Sequence, residues 1–101
     1  MPGLESLPLH DAVVKHISLL WKERTIEFSL LAFSQAGNSA TPHNLQFTEV
    51  SNFNCPHASP WGESFYINSA SGISGTFVIE MQSGDEITIE AASYNFEPAD
   101  S

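Results

Sequence analysis

TFVIEMQSGDEITIEA, Thr76 to Ala91, is the stretch whose reading decides the fold. Phe77, Ile79 and Met81 alternate with Val78, Glu80 and Gln82. After Ser83-Gly84-Asp85, the residues Ile87, Ile89 and Ala91 alternate with Glu86, Thr88 and Glu90. A period of two puts one set of each segment on an apolar face and the carboxylates on the other, which predicts two strands joined by a tight turn. A two-residue loop of Ser83-Gly84 opposes Met81 to Glu86 and buries a charge. A three-residue loop of Gln82-Ser83-Gly84, with Gly84 as the left-handed residue, pairs Ile79 with Ile87 and Phe77 with Ile89. It also opposes Glu80 to Glu86, at a cost of a few tenths of a kcal/mol, up to ~1. The three-residue loop is the expected register. Sliding it to Ser83-Gly84-Asp85 separates the two glutamates but moves Gly84 off its position.

Working outward, the N-terminal residues 1–9 hold Pro2, Gly3 and Pro8 and read as an extended arm, with Leu4, Leu7 and Leu9 available to pack back. His10-Asp11-Ala12 leads into a strand over Val13 to Trp21, with Val13, Lys15, Ile17, Leu19 and Trp21 on one face. A second strand over Thr25 to Phe33 follows. Pairing Trp21 with Ile26 opposes Leu19 to Phe28 and Ile17 to Leu30. A helix over 12–21 is the rival, because the apolar residues 13, 14, 17, 20 and 21 also fit a 3.6 period.

Ser34 to Asn44 is a loop by composition. Leu45 to Phe53 reads as a third strand with a bulge near Thr48-Glu49, where the apolar parity changes. Asn54 to Glu63 is a second long loop. Ser64 to Ser69 is a fourth strand, and Ala70 to Gly75 a turn. Parity changes again near Ala92-Ser93, so either a bulge returns Tyr94 and Phe96 to the core or both leave the sheet. Glu97 to Ser101 is expected to fray.

The fold class expected is therefore all-β, or β-rich α+β: one domain over 1–101, an antiparallel sandwich or partly open barrel of about six strands. Val14, Leu20, Leu31, Phe33 and Val78 lie on the reversed faces and need cover, from a second sheet or from a homodimer partner.

The chain has 101 residues, 42% of them hydrophobic, enough for one core. Its formal charge is −9, and the three basic residues, Lys15, Lys22 and Arg24, all precede Thr25. Such a field disfavours nucleic acid and anionic membranes and favours cations or a basic protein. It also serves solubility, the ordinary reading. Cys55 alone allows no intrachain disulfide and fits a reducing compartment. The start of the chain lacks the pattern of a secretory signal, and no apolar run reaches membrane length. A cytoplasmic location is the expectation.

His10-Asp11, His16, His43, Cys55 and His57 are the side chains that could carry metal or catalytic chemistry. Cys55-Pro56-His57 offers a thiolate and an imidazole, and His10-Asp11 an imidazole with an adjacent carboxylate. These four are weak metal-ligand candidates, because zinc needs further ligands and no CxxC, HxxxH or HExxH spacing is present. The ordinary readings are a loop His with a small Cys, and an Asp that bonds local backbone. Glu80, Glu86 and Glu90 form an acidic stripe that could chelate Ca²⁺ or meet a basic partner, or simply be a solvated strand face. Trp61, between Pro60 and Gly62, either caps the core or anchors a partner. No phosphate loop or nucleophile-elbow sequence occurs, and no cofactor or catalytic residue is expected.

Leu9-His10-Asp11-Ala12, Pro60-Trp61-Gly62-Glu63-Ser64 with Ile67-Asn68, and Glu80-Met81-Gln82-Ser83-Gly84-Asp85 resemble a family of small uncharacterised bacterial proteins spanning the whole chain length. The resemblance implies a small β-rich domain with no assigned activity and supplies no site residue. Some small acidic bacterial proteins of this kind are toxin-neutralising immunity proteins, and the charge suits that role. The functional expectation is a non-catalytic acidic module that binds a basic protein. The alternatives are a small enzyme or metal-binding protein using His10, Asp11, Cys55 and His57, and a homodimeric structural subunit.

Overall fold

Two antiparallel four-stranded sheets form the body of the computed structural model, which describes residues 3–4, 7–32, 41–59, 62, 65–72 and 75–99. The strands are β1 (Val13–Leu20), β2 (Thr25–Ala32), β3 (Thr41–Thr48), β4 (Asn52–Asn54), β5 (Ile67–Ser71), β6 (Gly75–Met81), β7 (Glu86–Ala91) and β8 (Ser93–Pro98). One sheet has the order β1-β2-β3-β8 and the other β4-β7-β6-β5. The sheets are not closed into a barrel and stack as a β-sandwich. The expected class holds, with eight strands among the described residues in place of about six.

Alternation explains the core. Ile26, Phe28 and Leu30 of β2, Leu45 and Phe47 of β3, Phe77 and Ile79 of β6, and Ile87 and Ile89 of β7 are all buried. Phe28 meets Phe47 edge-on with ring centroids 5.8 Å apart, and Phe47 lies 5.1 Å from Phe77, so an aromatic chain bridges the two sheets. Tyr94 extends it, 5.5 Å from Phe77.

The β6–β7 hairpin adopts the expected register: Ile79 opposes Ile87, Phe77 opposes Ile89 and Glu80 opposes Glu86. Met81 N–H donates to Asp85 O at 2.8 Å, and Gly84 has φ 95, so Gln82-Ser83-Gly84 is the loop. The β1–β2 hairpin is a strand pair, as expected over the helical alternative, but its register differs by two residues. Leu19 opposes Ile26 and Ile17 opposes Phe28. Pairing ends at Leu20 and Thr25, and Trp21 to Arg24 form the turn, closed by Arg24 at φ 54. Val50 N–H donates to Arg24 O, and Arg24 Nε–H donates to Val50 O, which ties the turn to the chain beyond β3. Trp21 is therefore in solvent rather than on the apolar face. A bulge between Val14 and His16 also changes parity and removes Lys15 from the apolar set.

The expected third strand is two strands in different sheets. At Glu49, φ 53, the chain leaves β3 and crosses to β4. The parity change read as a bulge at Thr48-Glu49 is this crossing. The change at Ala92-Ser93 is the return crossing from β7 to β8. The two crossings lie side by side: Ala92 N–H donates to Thr48 O, and the Thr48 and Ser93 hydroxyls are 2.6 Å apart. Tyr94 and Phe96 then face the core from the first sheet, half-buried.

Other boundaries move. Thr41 to Asn44, assigned to a loop, begin β3, and residues 34–40 of that loop lie outside the described residues, as does Phe33. The fourth strand runs Ile67–Ser71 rather than from Ser64. Glu97 and Pro98, assigned to a frayed tail, belong to β8, where they pair with Asn44 and His43. The arm is docked at its described residues: Leu4 and Leu9 are buried, and Leu4 N–H donates to Gly72 O. Gly72 has φ 117, and a Cβ there would strike Thr76 O, so β6 approaches it as closely as only glycine permits.

Candidate functional site

Sheet pairing brings two separate sequence candidates together. Ile67 N–H donates to Ala12 O and Asp11 N–H to Ile67 O, which seats the entry to β1 beside β5. β5 pairs in turn with β6 around Glu80. His10, Asp11, Asn68, Glu80, Met81 and Gln82 therefore line one open cavity of about 350 Å³.

Its polar groups are held by named partners. His10 Nδ1 lies 2.8 Å from Asn68 O, and a carbonyl only accepts, so Nδ1 carries the hydrogen. In the neutral ring this leaves the lone pair on Nε2, 3.6 Å from Asp11 Oδ2. Gln82 Nε2–H donates to Asp11 Oδ1 at 2.6 Å, and Asn68 Nδ2–H to Glu80 Oε1 at 2.7 Å. Each amide engages one oxygen of its carboxylate, and the second oxygen has capacity for an incoming donor. Asp11 has φ 66, a conformation that aspartate adopts more readily than most side chains.

Glu80, Glu86 and Glu90 occupy the outer face of the second sheet. Glu80 opposes Glu86, and Glu90 opposes Thr76 on β6 and Asn52 on β4. Asn52 Nδ2–H donates to Glu90 Oε2 at 2.9 Å. No lysine or arginine belongs to this sheet, because none follows Arg24 in the chain. Glu80 is the residue that joins the acidic stripe to the His10–Asp11 cavity.

Cys55 and His57 are elsewhere, on the exposed segment after β4. They do not meet His10 and Asp11 in the cavity, and among the described residues no three His, Cys, Asp or Glu side chains are grouped to hold a metal. Partial burial of its thiol, and then the nearby Asp85 carboxylate, push the Cys55 pKa up, away from the thiolate a nucleophile or metal ligand needs. Trp61 lies outside the described residues, with Pro60, Glu63 and Ser64.

One feature was not picked out in the sequence, and one candidate, His43, takes a different role. Asp85 is buried at the β6–β7 turn, where its carboxylate accepts Ala58 N–H at 2.8 Å, Ser59 N–H at 2.9 Å and the Ser83 hydroxyl at 2.8 Å. It anchors the Cys55 segment to the hairpin. The signal was present as a Ser-Gly-Asp turn, but turn aspartates are usually solvated. His43, also buried, donates from Nδ1 to Thr41 O and stacks on Phe96 at 4.9 Å, a core role.

No family model and no curated protein matches the chain. One solved structure resembles it, described as the crystal structure of an uncharacterized protein from Neisseria gonorrhoeae, at TM-score 0.58 and 18% identity. The match covers 89% of this chain and 93% of that one, and at this identity it speaks for the fold alone. No helix among the described residues is long and apolar enough to cross a membrane.

Proposed function

We propose that this protein is a non-catalytic binding module whose acidic face receives a basic partner protein. The observation that carries the reading is the outer face of the second sheet. Glu80, Glu86 and Glu90 share it, and that sheet has no cation of its own to neutralise them. Two of the three carboxylates are held by asparagine amides, so the face is ordered before a partner arrives. An ordered single-sign face steers a basic protein into register and repels nucleic acid and anionic membranes. A cytoplasmic setting fits the lone cysteine. Neutralisation of a basic toxin, in the manner of an immunity protein, is one form the module could take. The enzyme alternative has less support, since His10 and Asp11 share a cavity but Cys55 and His57 do not join them.

A deca-lysine peptide is the probe, titrated into the full chain by calorimetry. Affinity should fall about tenfold or more between roughly 50 and 200 mM salt. The Glu80→Gln/Glu86→Gln/Glu90→Gln variant should lose most of the binding. Affinity that ignores the triple substitution would overturn the reading.

A further inference from the structure

We propose that the edge of β1 from Lys15 to Leu20, with Trp21 beyond it, is a second docking site. Its occupant is an extended, carboxylate-bearing segment of a partner protein, added to the first sheet as an extra strand. The inference is independent of the acidic face, which lies on the other sheet.

The four sheet edges are not alike. β5 is accompanied by the arm, through Leu4 at Gly72 and Asp11–Ala12 at Ile67. β4 is only three residues long, and β8 ends in Pro98. β1 has eight residues. Its first two are engaged on the outer side, where Val14 N–H donates to Phe65 O and Val13 bridges Tyr66. From Lys15 onward, β2 is its only strand partner among the described residues. An edge of this kind presents backbone donors and acceptors that another strand can take up.

The exposed apolar side chains collect on this edge. Among the described residues, the large hydrophobics most open to solvent are Trp21 at 84%, Leu19 at 52%, Leu20 at 42% and Tyr66 at 42%. Three are consecutive at one end of β1, and the fourth bridges its other end. A single exposed leucine means little, but three consecutive exposed apolar residues at the end of an open edge make a site.

Charge chooses the occupant. Lys15 is on β1, Lys22 and Arg24 are in its turn, and these are all the cations the chain has besides histidine. Glu23 in the turn, Glu27 on β2 opposite Ser18, Asp11 before β1, and Glu49 beside the Val50 that bonds Arg24 are the acids nearby in the chain, the pairing and the turn contacts. On a molecule of net charge −9, this edge is where a segment rich in glutamate or aspartate meets lysine and arginine. A second copy paired β1 to β1 would line up the cations of both along one seam. A second copy offering its acidic sheet face would leave the β1 backbone groups unpaired.

The test uses two blocked seven-residue peptides, one alternating glutamate with valine and one alternating lysine with valine, added to the full isotope-labelled chain. The glutamate peptide should shift the backbone amide signals of Lys15 to Arg24 and leave those of Glu80, Glu86 and Glu90 in place. Lys22→Glu and Trp21→Ala, both at exposed turn positions that should leave folding intact, should each weaken it about tenfold or more. The lysine peptide should leave β1 undisturbed. Shifts confined to other surfaces, equal engagement of β1 by both peptides, or a concentration-dependent dimer that protects the β1 amides without peptide would each overturn the proposal.

Discussion

The hairpins β1–β2 and β6–β7 are built from the same device, two alternating strands around a short polar turn, yet only one follows its apolar pattern faithfully. In β6–β7 the turn is internal to the fold: Ser83 and Asp85 are buried, and Asp85 N–H and carboxylate both engage Ser83 Oγ. In β1–β2 the turn is external, and its four residues Trp21 to Arg24 are all exposed. Side-chain alternation alone admits registers that differ by two residues, because both keep the same faces together. Turn chemistry selects among them. Where buried polar bonds tie the turn, one register is specified locally. Where the turn is in water, a contact far along the chain decides, here Arg24 with Val50.

The largest test of this contrast removes the buried carboxylate. Among the described residues, Asp85→Ala deletes three hydrogen bonds to a charged acceptor. Ala58 is exposed and Ser59 half-buried, so their amides can recover water, whereas the Ser83 hydroxyl that loses Asp85 Oδ2 is buried. The expected loss is about 3 kcal/mol, read from urea unfolding. A loss below about 1 kcal/mol, within the range of ordinary surface substitutions, would mean the turn is not what holds the hairpin.

Gly84→Ala comes next. At φ 95 an alanine pays for its Cβ, so the expected cost is about 1 kcal/mol. The register itself should survive, since Asp85 still holds the turn. Backbone nuclear Overhauser contacts between Ile79 and Ile87 would check this, and their loss would assign register to the glycine rather than to the buried polar cluster.

The same contrast explains what was legible in the sequence. Alternation exposed the strands and the β6–β7 register, because periodicity and turn agreed there. Parity changes at Thr48-Glu49 and Ala92-Ser93 were visible, but a parity change reports only that the inward face reverses. A bulge and a crossing between sheets write the same pattern, and the hydrogen bond between Ala92 and Thr48 that distinguishes them joins residues 44 positions apart. Thr41-Pro42-His43 has the composition of a loop, and its strand character comes from pairing with Leu30, Leu31 and Ala32. The cavity was half legible: His10-Asp11 and Glu80 were separate candidates, and only the pairing of Asp11–Ala12 with β5 and of β5 with β6 brings them together.

The smallest expected effect is at Trp21. A tryptophan is the costliest side chain to remove from a core, about 3–5 kcal/mol when buried. At Trp21 the ring is 84% exposed, and the strand pairing closes before it, at Leu20 and Thr25. Trp21→Ala should therefore leave urea stability within about 0.5 kcal/mol of the parent, beside the loss of about 3 kcal/mol expected from Asp85→Ala. A ring that contributes nothing to folding yet sits beside Leu19 and Leu20 leaves three adjacent apolar groups in water with no structural return. A cost above about 1 kcal/mol would mean the ring packs against the body, and the external turn would then be as internal as the other.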